Sequence, residues 1–367
     1  MKPYTPVTLP LADVDTSQLI SQVGEANAAL ARYDGLLMGM VNPAVMLSPL
    51  TNQEAVLSSK IEGTQATIEE VLEHEAGQEY DDHKSNDIHE ILNYRRALIL
   101  GKESISDRPI RLSLIRELHK LLMNSVRGQD KTPGEFRKDQ NWIGAYGCKI
   151  EQATFVPPNP IQLLDYLQAW EHYLSIDDID PIIQTAIVHA QFELIHPFKD
   201  GNGRIGRLLI PLFLYSKGRL SSPMFYLSQY MEQHRDEYYA RLREISQSND
   251  WTNWISFFLC AVITQAKLNT VILKQIMSLY DVTKEQISGL TRSPHSAQLV
   301  DALFDKPIFT TADIAQRANI PKPTVHKLIN ALIEEGVIDT IREAAGRRPA
   351  ILTFAELLNT LERKQLV

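Results

Sequence analysis

Residues 196–207 read His-Pro-Phe-Lys-Asp-Gly-Asn-Gly-Arg-Ile-Gly-Arg, and apolar sequence of helical spacing flanks them, Ile182 to Ile195 before and Ile205 to Tyr215 after. A chain with this arrangement must fold so that a tight, glycine-rich turn joins two buried helices. A helical corner by itself needs only the glycines. This one adds a histidine, a carboxylate, an amide and two arginines. Gly201, Gly203 and the helix starting near them expose backbone N–H groups, which attract anions. Arg204 and Arg207 lie three apart, so both forks project from the first turn toward phosphate oxygens. Asp200 is a hard oxygen ligand suited to Mg²⁺, which takes one or two carboxylates plus phosphates. His196 stands nearby as a candidate general base. The segment reads as a site for a nucleotide triphosphate.

The rest of the chain sets the frame. Its 367 residues are enough for two or three domains of roughly 100–200 residues. A net charge of -8 argues against a surface that coats nucleic acid, while leaving room for a local basic face. Cys148 and Cys260 are the only cysteines and have no metal-type spacing. Their number fits a reducing cytoplasm rather than a disulfide framework. The N-terminus lacks the apolar core of a signal peptide. The longest apolar run, Trp254 to Thr264, is short of the ~20 residues of a membrane span. The expectation is a cytoplasmic protein with no membrane partner.

Periodicity predicts a mainly α protein. Residues 1 to about 15 are Pro-rich and extended, and helical spacing begins at Thr16. Pro43 and Pro49 interrupt it. Asn52 to His74 reads as a helix broken at Gly63, followed by a polar junction at residues 81–84. Further helices are expected over 88–100, 113–125, 161–174, 181–195, 205–217, 224–230, 236–246 and 251–279. Between Gly134 and Pro160, apolar residues on both sides of Gly144-Ala145-Tyr146-Gly147 predict a β-hairpin. Residues 281–292 read as a linker. Beyond Ser293, three helices and two strand-like segments make a winged helix-turn-helix pattern. The expected division is an N-terminal helical region over 1–110, a core over 111–280 and the winged helix over 293–367.

Residues 196–207 match the Fic-domain signature, His-Pro-Phe-x-(Asp/Glu)-Gly-Asn-Gly-Arg-x-x-Arg, at every fixed position. The order of helices, hairpin and motif over about 50–265 also resembles the Fic fold, and the whole chain resembles the long bacterial Fic architecture. The resemblance implies protein adenylylation, in which AMP moves from ATP to a Ser, Thr or Tyr hydroxyl and pyrophosphate leaves. It implies His196 as the base and Asp200 as the Mg²⁺ ligand. Nucleotide contacts would come from the run Gly201, Asn202, Gly203, Arg204, Ile205, Gly206 and Arg207. Asn202 and the glycine amides would cradle phosphates, and the arginines would bind the β/γ end. Phosphorylating relatives of the Doc type carry Lys where this chain has Gly203, so adenylyl transfer is the expected reaction. Phe155 would belong to the flap that registers a target segment by strand pairing. Tyr238 and Tyr239 resemble the paired tyrosines near the adenine, although His234 stands where many relatives have Asn.

Ser58 to Gly63 resembles the Fic inhibitory pattern, (Ser/Thr)-x-x-x-Glu-(Gly/Asn). Ser58, Glu62 and Gly63 are then regulatory, with Glu62 pairing with Arg207 and denying it to the γ-phosphate. In the C-terminal unit, residues 321–327 start the recognition helix and Arg342, Arg347 and Arg348 sit on the wing. Acidic residues balance these cations, so the unit fits DNA or protein contacts, including a homodimer. The protein substrate is another protein or the chain itself. Two alternatives stand beside the transferase: a DNA-binding regulator that uses the Fic domain as a nucleotide sensor, and an enzyme that removes AMP.

Overall fold

The computed structural model describes residues 2–12, 14–40, 42–124, 129–145 and 147–362. Ser125, Tyr146 and residues 363–367, all named above, lie outside them. The first helices are α1 (Ile20–Met38), α2 (Pro43–Met46), α3 (Ser48–Ile61), α4 (Ile68–Glu75), α5 (Asp82–Ile105) and α6 (Leu112–Leu122). Then come α7 (Leu163–Ser175), α8 (Pro181–Ile195), α9 (Asn202–Ser216), α10 (Ser228–Gln233), α11 (Arg235–Ser248) and α12 (Trp251–Thr291). The C-terminal elements are α13 (Ser296–Asp305), β1 (Ile308–Phe309), α14 (Thr311–Arg317), α15 (Lys322–Glu334), β2 (Asp339–Arg342), β3 (Ile351–Thr353) and α16 (Ala355–Glu362).

The run beginning at Thr16 is interrupted at the prolines as expected: α1 ends at Met38, and Pro43 and Pro49 stand in the first turns of the separate helices α2 and α3, where a missing N–H costs nothing. Two other expectations change. The linker at 281–292 is the last part of α12, because its polar residues are helix formers and Thr283 and Ile287 are buried. The hairpin over 134–160 reduces to one antiparallel bridge, Ile143 to Phe155, with a 3₁₀ turn at Ile150–Gln152 in the loop it closes.

The chain divides into two compact units that interleave along the sequence. One gathers residues 1–38, 57–64 and 89–267, the other 39–56, 65–88 and 268–367. Helices α3, α5 and α12 each contribute to both. An 18-residue window of α12 has a mean hydropathy of 1.6, long and apolar enough to cross a membrane. Over half of that window is buried in the protein, as in a core helix.

The first unit is built around the α8–α9 hairpin. Asp180 caps α8 by accepting from Ile182 N–H at 2.8 Å, and Pro181 follows at its first position. Helix α8 is apolar on all sides and almost wholly buried. Trp170 and Trp254 brace it from opposite neighbours, their indole N–H groups donating to Val188 O at 3.0 Å and Ala186 O at 2.9 Å. The N-terminal segment is extended, as expected, and Tyr4 N–H donates to Val156 O at 2.8 Å beside the flap.

In the second unit β1, β3 and β2 form an antiparallel sheet in that order, one strand more than the sequence predicted. Helix α4, started by a Thr67–Glu70 capping box, packs Leu72 and Ala76 against Ile308, Ile351 and Leu358. Thr310 caps α14, and Asn319 in the left-handed region makes the turn to α15. Two of the three wing cations are engaged within the unit. Arg342 donates to Gln78 at 2.7 Å and Arg348 pairs with Glu79 at 3.1 Å.

Candidate active site

Helix α8 ends at His196, which takes the left-handed conformation (φ 50°, ψ 62°). That reversal stops the helix and starts the turn. Asn202 closes it: its amide oxygen accepts from Phe198 N–H at 2.8 Å and its NH₂ donates to Phe198 O at 2.9 Å. The Asn202 side chain is therefore spent on the turn, and what it offers a phosphate is its backbone N–H. Gly201 (φ 77°) precedes α9 in a conformation that suits glycine. Ile205 N–H bonds to Gly201 O, so the N–H groups of Asn202, Gly203 and Arg204 are the unpaired start of the helix.

His196 Nδ1 lies 3.2 Å from Glu193 O. A carbonyl only accepts, so Nδ1 carries the proton and Nε2 keeps its lone pair. Burial, with the Arg137 charge in support, holds the imidazole down at about 4. His196 is thus neutral at ordinary pH and ready to take a proton.

Arg207 is buried and fully engaged on one side. Its Nε donates to Ser58 Oγ at 2.9 Å, and Nη2 donates to Ser58 O at 2.8 Å and Glu62 Oε1 at 2.7 Å. Its Nη1 has no partner among the described residues. The Glu62 side chain is 33% exposed against 1% for Arg207, so the acid reaches the cation from the rim. Burial works to raise the Glu62 carboxyl, but the Arg207 charge and hydrogen bond outweigh it and hold it below the usual range. Gly63 (φ 104°) ends α3 directly after Glu62, where a side chain would be strained. At Gly203 the need is for space: a Cβ there would lie 2.3 Å from Glu62 Oε1 and 2.9 Å from Arg207 Nη1. A lysine at this position has no room while Glu62 sits on Arg207.

Arg204 is buried between Glu90 (3.3 Å) and Asp200 (3.5 Å). The Asp200 side chain is half-exposed, and its Oδ1 accepts from Gly201 N–H. No group of three His, Cys, Asp or Glu side chains that could cage a metal occurs among the described residues. The donor set fits Mg²⁺ held by one carboxylate and completed by phosphates.

These groups open onto a cleft of about 460 Å³, lined by Glu62, His196, Gly203 and Arg207, with Phe155 on the flap side and Tyr238 and Tyr239 on α11. Seven of the expected site residues thus meet in one place. The Ile205 side chain is apolar and fully buried in the core. Gly206 serves another purpose, since a Cβ there would lie 2.1 Å from the Glu193 carboxylate.

Sequence profiles settle the family. The profile "Fic/DOC family N-terminal" matches residues 20–103, and "Fic/DOC family" matches residues 109–214. The chain is a Fic/DOC family protein. Its C-terminal unit carries a helix-turn-helix domain, with the profile "IclR helix-turn-helix domain" matching residues 301–341. Over 142 residues, 37% of the chain, it is 34% identical to the protein adenylyltransferase Fic of Drosophila virilis and 33% identical to that of Drosophila mojavensis. The match covers 27% and 26% of those proteins, so the chain spans about a quarter of the length of the curated relatives it matches. A Fic family protein from Desulfovibrio desulfuricans G20 shares the fold, with a TM-score of 0.58 at 20% identity over 96% of this chain and 98% of that one. Fic-1 from C. elegans does so with a TM-score of 0.54 at 21% identity, over 71% and 76%.

The sequence reading of this Fic site missed Glu193. It is the one acid in the apolar run of α8, which was the available signal. Its Oε1 is buried with no hydrogen-bond partner among the described residues, and burial pushes the carboxyl up to about 8 against the pull of Arg207. His119 and His189 were also missed. His119 stacks on Phe198 at 3.7 Å, and His189 bonds to Tyr238 OH at 2.9 Å. Burial holds them at about 4 and about 3.

These shifts fix a pH dependence of stability. The unfolded chain protonates His119, His189 and His196 near 6.5, and the folded Fic unit refuses those protons down to about 4. Stability is therefore lost as pH falls from 6.5 toward 4, by about 1.4 kcal/mol per unit for each group. Glu193 runs the other way, losing its contribution as pH rises from 4.5 to 8. The urea midpoint is expected to rise from pH 4.5 to 6.5, where three imidazoles outweigh one carboxyl, and to decline toward pH 8. Glu193→Gln should abolish the decline; a midpoint flat between pH 4.5 and 6.5 contradicts this.

Proposed function

We propose that this chain is a protein adenylyltransferase that moves AMP from ATP to a hydroxyl of a protein, itself included, and that Glu62 restrains it. The observation that carries the reading is the pairing of Arg207 with Glu62 in the same cleft as a neutral, correctly oriented His196. His196 Nε2 takes the proton of the target hydroxyl. The hydroxyl oxygen bonds to the α-phosphorus, the bond from that phosphorus to the bridging oxygen breaks, and pyrophosphate leaves with the electron pair. The free N–H groups at the start of α9, with Arg204 and Arg207, hold the phosphate charge. Asp200 would hold Mg²⁺, which when bound would neutralise phosphate charge. Positioning and electrostatics carry such transfers, and this chain supplies both.

While Glu62 occupies Arg207, the γ-phosphate lacks its fork and ATP sits unproductively. The test is incubation of the Glu62→Gly chain with ATP labelled at either the α- or the γ-phosphate. Label retained on denatured protein from the α-position alone supports adenylyl transfer, γ-label alone supports phosphorylation, and neither refutes both.

A second activity, DNA binding, is supported by the helix-turn-helix match and by Lys322, His326, Lys327 and Asn330, which are exposed on α15. Because Arg342 and Arg348 are already engaged, few phosphates can be neutralised. Duplex binding is expected to be weak, with a log–log salt slope no steeper than about -3 and reduced by Lys327→Glu. A slope unchanged by that substitution counts against α15 as the contact. The two free thiols fit a cytoplasmic setting.

A further inference from the structure

We propose that Arg137 is a positioning residue that locks His196 in its left-handed conformation and ties the catalytic turn to the flap. This rests on the adenylyltransferase reading. A non-glycine residue in that backbone region costs about 1–2 kcal/mol, so something must hold it. The last carbonyls of α8 also need donors, and they form the negative end of the helix. Arg137 answers both needs. Its side chain is buried, with Nε donating to His196 O at 2.9 Å and Nη2 to Pro158 O at 2.6 Å and, more weakly, Ile195 O at 3.4 Å. Its backbone N–H donates to Pro197 O at 2.9 Å. Pro158 lies three residues past Phe155, whose bridge to Ile143 closes the flap. One guanidinium thus joins the base-bearing turn to the flap.

The partners are unusual for a buried cation. All are carbonyl oxygens, Nη1 reaching Asp139 O at 3.4 Å, and no carboxylate partner occurs among the described residues. Such a charge is costly to bury and is a poor device for stability alone. Only a rigid fork spans carbonyls on two separate segments, which a lysine cannot do. The same stretch of chain grips the far end of the turn. Gly134 N–H donates to His119 Nδ1 at 2.8 Å, and His119 Nε2 donates to Asp200 O at 3.0 Å. Residues 134–137 therefore hold both ends of the loop that carries the base and the metal ligand. Arg137 itself does not line the nucleotide cleft.

The test uses Arg137→Met and Arg137→Lys in the full chain carrying Glu62→Gly. With Met, kcat is expected to fall about 10²-fold, the effect of a small misplacement of a reacting group, with KM for ATP within about twofold. Lys should recover part of the loss. Amide hydrogen exchange needs no activity: Phe155, Val156 and the non-proline residues of 195–201 should lose protection together while α7 and α12 keep theirs. An unchanged kcat overturns the proposal. So does a general loss of protection with parallel loss of thermal stability, which is what a merely structural role predicts. If the Glu62→Gly parent transfers nothing, the adenylyltransferase reading has failed, and the exchange pattern alone decides the role of Arg137.

Discussion

His196→Ala is expected to lower AMP transfer about 10²–10⁴-fold, the contribution of a positioned general base. The expectation follows from the tautomer. With Nδ1–H bound to Glu193 O, Nε2 is the one basic atom the ring presents, and alanine leaves nothing to receive the hydroxyl proton. The phosphate-binding groups stay in place, because they come from α9 and not from the imidazole. ATP affinity should therefore change by less than about threefold, while single-turnover transfer collapses. His196→Asn is a useful companion, since Asn tolerates the left-handed backbone and so separates loss of the base from strain in the turn. Parallel loss of binding and transfer contradicts the role assigned to His196.

Glu62→Gly is expected to raise transfer about 10- to 100-fold, which corresponds to the roughly 1.5–3 kcal/mol of a charged hydrogen bond. The Glu62–Arg207 contact is short and shielded on the arginine side, so its loss frees a cation already aimed into the cleft. Arg207 keeps its two bonds to Ser58, which hold its geometry after the acid has gone. Glu62→Gln keeps the shape and removes the charge, so its rate should fall between those of parent and glycine variant. Equal rates for all three in a labelled-ATP assay refute the restraint.

The sequence exposed the site where polar groups crowd one apolar hairpin. A plain helical corner does not account for His196, Asp200 and two arginines between two buried helices; His196 and Arg207 line one cleft, and Arg204 is buried beside Asp200 on the same turn. Glu62 was found by resemblance, since its partner lies 145 positions away and no local period links them. Arg137 and His119 escaped notice because their hydrogen-bond partners are backbone groups, which leave no trace in residue identity. The use of the Asn202 side chain was hidden for a related reason: its bonds go to the main chain of Phe198. The interleaved units were illegible because periodicity reports one helix at a time, and α3, α5 and α12 show no break where they pass from one unit to the other. The tail of α12 misled because a polar helix surface has the composition of a linker.

Intact-mass spectrometry after incubation with ATP and Mg²⁺ tests the central claim most directly, applied to the parent, to Glu62→Gly and to Glu62→Gly with His196→Ala. The account predicts added mass of one or more AMP groups on Glu62→Gly, little on the parent and none on the double variant. Unmodified Glu62→Gly protein, or equal modification of all three, contradicts it.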